Sequence, residues 1–503
     1  MKNRSLFTIL LTLFLLTFIG VNPVLAEEFT VVTSSEVLTL DPIMYSETPT
    51  LSANYNIFEA LTKLDHELDL QPGLAKSWET EDDTTWVFHL REGVKFHEGQ
   101  EFTAEDVKFS LERAQNHPES QFKSDVAEID SVEVRDRYTV EINTEYPFPT
   151  LPRKLKAIYM YSKDYVEEHD DQHLSTNPNG TGPYVLKNWD RDNKMELEAF
   201  EDYWRGKADL EKVVLKPITN AATRVASLLS DEADVVIDLP VQDVDEVKEA
   251  EDVEFVGNPG LRLIFLGMNT EEGPLSHKKV RKAIYHAINE DEIVSQVMDG
   301  HAHPAGQFFP EKVFGYNPDV ERVEYDPQKA QELLAEAGYP DGFEIDLDAP
   351  NNRYMNDGDI AQAVVIQLAR VGIDVNLETQ PKSSYFDKVL SRDTDFYLLG
   401  WLNSNGDGSG TLEGLLHTPD DKYGRFNLGN YSNEKVDQLT EEAARTIDEE
   451  KRLELMQEAV KLAMDDVAQI PLHYQEELYG KQEEVNWDPR PDKYLDLYSI
   501  EKN

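Results

Sequence analysis

There is no cysteine in this chain of 503 residues. That excludes disulfide bonds, thiol nucleophiles and thiolate-held zinc, and with them a lipid-modified cysteine anchor. Positive charge is scarce: 48 Lys and Arg stand against 98 Asp and Glu, for a net of −50. A surface of that sign repels nucleic acid and anionic lipid, so neither is expected as a direct partner. The acidity runs along the whole chain rather than gathering in a tail. One reading is a solvated surface adapted to high salt, where the Debye length shrinks to about 3 Å and self-repulsion is screened. The other is a field that favours a cationic ligand. Catalytic signatures are also missing. No Gly-x-Ser-x-Gly, His-Glu-x-x-His or phosphate loop occurs, and Ser409 in Gly-Asp-Gly-Ser-Gly fails the spacing of a nucleophile elbow. No catalytic residue and no cofactor are expected.

Long hydrophobic runs are confined to the start. Lys2 and Arg4 precede an apolar stretch from Leu6 to Val21, and Val24-Leu25-Ala26 offers small residues for cleavage. This reads as a secretory signal peptide over residues 1–26, so the mature protein is expected to be periplasmic or extracellular. No later stretch is apolar enough to cross a bilayer.

What remains is enough for packed cores: 40% hydrophobic and 10% aromatic residues, over a length that calls for two or three domains. Strands are expected at Phe29–Thr33, at Trp86–Leu90 paired with Val94–Phe96, at Ser131–Val134 with Thr139–Asn143, and at Leu261–Asn269. Helices are expected over Leu51–Leu64, Phe102–Arg113 (with Thr103 as N-cap) and Ala221–Leu229, and over two long segments from Asn433 to Met464. Ile470–Tyr474 returns as a strand. The stretch Asn177–Tyr184 is the densest turn cluster of the first half and reads as a passage between domains.

The most informative region runs from Phe343 to His417. Phe343–Ala349, Ile373–Thr379 and Phe396–Trp401 read as strands separated by helices. A β-α-β-α-β series favours a parallel sheet with right-handed crossovers. The loops at Arg353, at Gln380–Lys382 and at Leu402–Gly410 then share one sheet edge, where open α/β sheets bind ligands.

Several motifs occur in order: Leu40-Asp41-Pro42; Gln71-Pro72-Gly73-Leu74-Ala75 before Trp78-Glu79; the block from Phe88 to Arg113; Gly180-Thr181-Gly182-Pro183-Tyr184; Tyr203-Trp204; Phe265 to Asn269; Val280-Arg281-Lys282-Ala283; Tyr325-Asp326-Pro327; Gly338 to Phe343; and Gly400-Trp401. With this series the chain resembles the solute-binding proteins of peptide-type ABC importers, over nearly everything after Ala26. The resemblance implies a mixed α/β, two-lobed fold of the periplasmic-binding-protein type II, with three domains and a ligand cleft between the lobes. Domain I would be discontinuous (27–64, 180–269 and 476–503), domain II would cover 65–179, and domain III 270–475. It also implies capture of a short peptide by hinge closure, delivery to the transmembrane subunits of an ABC permease, and a monomer.

The candidate ligand-binding residues are Tyr45, Arg353, Trp401, Asn403, Ser404 and Asp407. Arg353 lies where dipeptide binders carry an arginine for the ligand carboxylate; the alternative is a surface arginine paired with Asp357. Those binders hold the ligand's amine with an Asp at the position of Ser404, and a hydroxyl cannot replace that charge. Asp407 stands in the same loop as its substitute. The serine variant resembles the glutathione-type branch. Trp401 either stacks on ligand or plugs the core, Tyr45 faces the cleft or packs domains, and Asn403 reads peptide groups or shapes the turn. Oligosaccharide is the second ligand class. His301 and His303 raise a metal complex and the acidic residues an exported hydrolase; both are weaker readings, and no metal site is assigned.

Overall fold

The computed structural model describes residues 28–503; the expected signal peptide lies outside the described residues. An eleven-stranded mixed sheet runs through both lobes. Its centre is a pair of long antiparallel strands, Val253–Met268 and Gln469–Gln482, in register from Val253 opposite Gln482 to Gly267 opposite Gln469. The register slips between Pro259 and Leu263 and again between Ile264 and Phe265. Pro259 cannot donate to the ladder, which favours a break there. At Gly260 a Cβ would stand 2.4 Å from the Gln475 carbonyl oxygen, so only glycine allows the two backbones to approach this closely.

On one side of this pair lie Phe396–Leu402, Phe343–Pro350 and Ile373–Gln380, in that order and mutually parallel. The expected β-α-β-α-β unit is therefore present, with helices Asp357–Ala369 and Lys382–Leu390 as its crossovers. On the other side come Val235–Ile237, Glu28–Thr33, Lys212–Pro217, Lys194–Ala199 and Tyr184–Asp190. A separate four-stranded antiparallel sheet, in the order Ala75–Asp82, Thr85–Leu90, Thr139–Thr144, Ile129–Asp136, carries helix Ala104–Asn116. That helix begins as expected at Thr103, whose N–H donates to the Asp106 carboxylate at 2.8 Å.

The buried apolar side chains fall into clusters that follow these sheets. One gathers residues between Leu261 and Tyr474, with Leu64 and Leu68 added. Another joins Ile43 to Leu174, and a third joins Phe29–Leu215 to Tyr479–Ile500.

Three expectations are corrected. Val94–Phe96 is not a strand against Trp86–Leu90, whose partners are Ala75–Asp82 and Thr139–Thr144. Instead Val94 and Phe96 fold back on Gln100 and Phe102 through main-chain bonds and bury their side chains. The first helix spans Thr48–Ile57 and does not reach Leu64, because the Gly180–Gly182 turn packs on its last residue. A Cβ at Gly180 would lie 2.0 Å from the Ile57 carbonyl oxygen. The strand expected at Ile470–Tyr474 continues to Gln482, where its polar residues pair with the start of the other crossing strand.

Candidate functional site

A cavity of about 1090 Å³ opens between the lobes. One wall is the end of the first strand and the segment after it (Thr33–Val37), the start of the first helix (Ser46–Pro49) and the turn Asp238–Gln242. The facing wall is the loop Asn351–Asn356 with Lys382 and Leu402, the carboxyl ends of the three parallel strands. The sheet edge expected from the sequence therefore does border the cleft, through Asn351–Asn356, Lys382 and Leu402. The crossing strands form its back, through Arg262, Gln475 and Glu477.

Arg353 lines this cavity and is exposed to it. Its alternative pairing is settled by geometry. Asp357 accepts the main-chain N–H groups of Arg353 and Tyr354 at 2.8 and 2.9 Å, and its other oxygen accepts from Gly358 N. Asp357 thus holds the loop at the head of its helix while the Arg353 guanidinium stays unpaired among the described residues. That guanidinium sits 5.3 Å from the ring centre of Tyr354, and the Tyr354 hydroxyl donates to the Gly400 carbonyl at 3.4 Å.

The Trp401–Asp407 segment behaves differently. Leu402 borders the cavity, but Trp401, Asn403, Ser404 and Asp407 do not. Alternation along the strand turns Trp401 away, to pack edge-on against Phe426 with its indole N–H on the Thr411 hydroxyl at 3.1 Å. Asn403 is buried, accepting from Thr411 at 2.6 Å and donating to the Phe308 carbonyl. Asp407 is not free to take an amine, because Arg452 holds both its oxygens at 2.8 Å in a buried bidentate pair. Burial alone would raise this carboxyl, but Arg452 and the Ser409 N–H outweigh it and hold it at about 2. Ser404 is half-buried, with no ion-pairing group of its own. Tyr45 is also half-buried; its neighbours Ser46 and Glu47 line the cavity and it does not. His301 and His303 both turn onto Glu476, at 2.9 and 3.1 Å. Among the described residues no group of three or more His, Cys, Asp or Glu could hold a metal ion.

The charge of the cavity wall departs from that of the chain. It carries six cations, Lys194, Arg224, Arg262, Arg353, Lys382 and Lys493, against five acids, Glu36, Glu47, Asp190, Asp238 and Glu477. In a protein with twice as many acids as bases, that balance makes the cleft electropositive relative to its surroundings. Three of the acids are already answered: Lys493 bridges Asp238 and Glu477, and Lys382 meets Glu47 at 3.5 Å. Arg224 is spent on the carbonyls of Ile218, Thr219 and Asp238. Sequence reasoning missed Arg262, although a lone charge within the apolar run Leu261–Met268 was a visible signal.

Side chains also join residues 67–153 to residues 312–422 away from the cavity lining. Arg153 Nη1 donates to the Asn405 carbonyl at 3.3 Å, Lys312 meets Glu67 at 2.7 Å, and Lys422 donates to the Tyr146 hydroxyl at 2.7 Å. Among the described residues, no helix is long and apolar enough to cross a membrane.

Comparison with known proteins agrees with this geometry. Residues 69–423 match the model of the bacterial extracellular solute-binding proteins, family 5 (middle). The heme-binding protein A of Haemophilus influenzae is 30% identical over 437 residues, covering 80% of this chain and 79% of that protein. The glutathione-binding protein of Salmonella paratyphi A is 30% identical over 458 residues, covering 89% of each. The solved structure of HbpA2 from Haemophilus parasuis superposes with a TM-score of 0.86 at 27% identity, covering 95% of this chain and all of that one. With the family model spanning well over half the sequence and the same two-lobed fold in place, the chain belongs to the family 5 bacterial extracellular solute-binding proteins.

Proposed function

We propose that this protein is the capture component of an ABC importer, taking up short peptides through a carboxylate held by Arg353. The observation that carries the reading is the unpaired Arg353 guanidinium on the wall of an interlobe cavity of about 1090 Å³. A fork of N–H donors suits a carboxylate, and removal from bulk water strengthens the contact. The name of the glutathione-binding relative supports a peptide of that size. Closure about the broken register of the crossing strands would present the liganded form to a permease. The ligand shifts that equilibrium only through its preference for the closed state.

The same reading holds the protein to be a non-enzymatic monomer, exported by the signal peptide at residues 1–26. Its division into domains at 27–64 with 180–269 and 476–503, at 65–179 and at 270–475 is part of the proposal, supported by the separate apolar clusters. The amine end of the ligand has no assigned partner, because Ser404 is uncharged and Asp407 is taken.

Native mass spectrometry of the protein as purified tests the reading. The expected result is one added mass in the short-peptide range, recovered unchanged after incubation and displaced by carboxylate-ended peptides. A neutral sugar in the cleft, or peptide turned over to products, would overturn it.

A further inference from the structure

Arg262 is the residue of the cleft that the reading above leaves unexplained. It sits on the crossing strand within the break between Pro259 and Leu263, opposite Leu402 on the neighbouring strand. Its side chain is half-buried, and no hydrogen bond or ion pair engages its guanidinium among the described residues. Its nitrogens are absent from the fully enclosed, unpaired polar atoms, so they open onto the cavity rather than into the core. Its guanidinium carbon stands 5.8 Å from the ring centre of Tyr354, and that of Arg353 stands 5.3 Å from the same ring, so the two are at most about 11 Å apart.

The surroundings make this pair harder to explain as scaffolding. Burial, and after it the charge of Arg353, both press on the Arg262 cation. Glu477 and Asp238, its nearest negative neighbours, are bridged to Lys493. One tyrosine ring offers each cation about 0.5–1 kcal/mol where solvent reaches it, which does not replace a carboxylate partner. Among the described residues, two like charges stand together with no carboxylate in direct contact with either guanidinium, only the longer-range field of Glu477 and Asp238, in a protein with 98 acids available; that arrangement points to an anion supplied from outside.

We propose that Arg262 and Arg353 form a two-guanidinium receptor, and that the cleft selects solutes bearing two carboxylates near one end. Within the peptide reading on which this rests, the preferred ligand ends in a residue with an acidic side chain or carries an equivalent pair of carboxylates. Arg353 takes one group from the loop of one lobe. Arg262 takes the second at the strand where the lobes join, so a doubly anionic ligand bridges loop and hinge while a monoanion does not. The receptor also accounts for capture without an amine clamp, since the second anion supplies the anchoring that the missing Asp at Ser404 would have given.

Calorimetric titration of ligand-stripped protein with Gly-Gly-Glu and Gly-Gly-Gln tests it. The wild type should bind the glutamate peptide about ten-fold or more tightly than the glutamine peptide, the scale of one charge-assisted hydrogen bond. R262Q should abolish that preference by weakening only the glutamate peptide, R262K should restore part of it, and R353Q should weaken both. Equal affinities in the wild type, or a preference that survives R262Q, overturn the receptor; if R353Q still weakens both peptides, peptide capture stands without it. Should neither peptide bind, peptide capture falls, and glutarate against its monoamide reads the receptor alone by melting-temperature shift. A glutarate-specific shift that R262Q removes then upholds the receptor, and its absence overturns it. R262Q is valid in each arm only because its ligand-free melting temperature is expected to match the wild type; a lowered value with the preference intact marks Arg262 as structural.

Discussion

Two loops at the same sheet edge meet different fates in this molecule. The Asn351–Asn356 loop keeps its arginine free by letting Asp357 bind main-chain N–H groups only. The Trp401–Asp407 loop, built from the same Asn, Asp and Gly chemistry, turns its polar groups inward onto Thr411, Phe308 and Arg452. The difference lies in what each loop packs against. Asp407 meets a buried arginine from helix Glu449–Asp465, more than forty residues away, whereas among the described residues no carboxylate pairs with the Arg353 guanidinium. Loop composition identifies where polar groups gather; the partner from a distant element decides whether they are left for a ligand.

The largest effect expected from this contrast is on stability, in the second loop. Asp407→Asn leaves a buried guanidinium half-paired, and breaking such a pair costs about 3–5 kcal/mol. Urea unfolding reads this as a lower midpoint at constant slope, and an unmoved midpoint would show the pair to be dispensable. Replacing both members, Asp407→Asn with Arg452→Met, should recover most of the loss. The pH dependence follows from the depressed carboxyl. Its folded value of about 2 lies below the unfolded carboxylate range, near 3.9, so its contribution is complete above the unfolded value. It is lost as pH falls from about 4 toward about 2, and Asp407→Asn should flatten the stability curve in that window.

The first loop should answer in affinity instead. Arg353→Ala is expected to leave the urea midpoint unmoved and to weaken carboxylate-ended peptides by about 1.5–3 kcal/mol. Calorimetry on both variants completes the comparison: one substitution moves the fold, the other the ligand. Unchanged affinity for Arg353→Ala would return that loop to the status of its neighbour.

A smaller pair of effects separates the cleft from the outer surface. A net charge of −50 repels itself, so the melting temperature should rise from low salt to molar salt. Peptide affinity, if it rests on guanidinium–carboxylate contacts, should fall over the same range. A melting temperature flat in salt would contradict the halophilic reading, and affinity that rises with salt would contradict the electrostatic one.

The family resemblance was legible because its motifs are mostly scaffolding. Asp41 of Leu40-Asp41-Pro42 is buried against Arg113 at 2.9 Å and accepts from the Tyr161 hydroxyl. Thr181, Tyr203 and Trp204, from two motifs, converge on the carboxylate of Glu59. Arg281 closes four main-chain carbonyls, those of Leu275, Ser276, Asp466 and Val467. Such groups answer to a fixed architecture, so they reveal the fold and say little about the solute. The parallel strands were equally readable, since a short apolar run before a polar loop needs no distant partner to be recognised. The length of the Gln469–Gln482 strand was not, because its polar half is held by pairing with strands far away in sequence, Val253–Met268 on one side and Val235–Ile237 on the other. For the same reason Arg353 was legible as a binder while the engagement of Asp407 was not.

The smallest expected effect concerns the contacts that join residues 128–146 to residues 422–445. Lys422 donates to the Tyr146 hydroxyl, which in turn donates to Glu128 at 2.9 Å, and the Arg445 guanidinium lies 5.1 Å from the same ring. These groups are solvent-exposed or half-exposed, so each contact contributes about 0.2–1 kcal/mol. They come from opposite lobes, however, and that small energy acts on the open–closed equilibrium rather than on folding. Lys422→Ala should therefore leave the urea midpoint unmoved, enlarge the ligand-free radius of gyration in solution scattering, and weaken peptide binding by less than about five-fold. Loss of binding comparable to Arg353→Ala would place a ligand contact at Lys422. No change in either quantity would assign closure to the ligand and the crossing strands alone, and the contrast between the two loops would then account for the whole of capture.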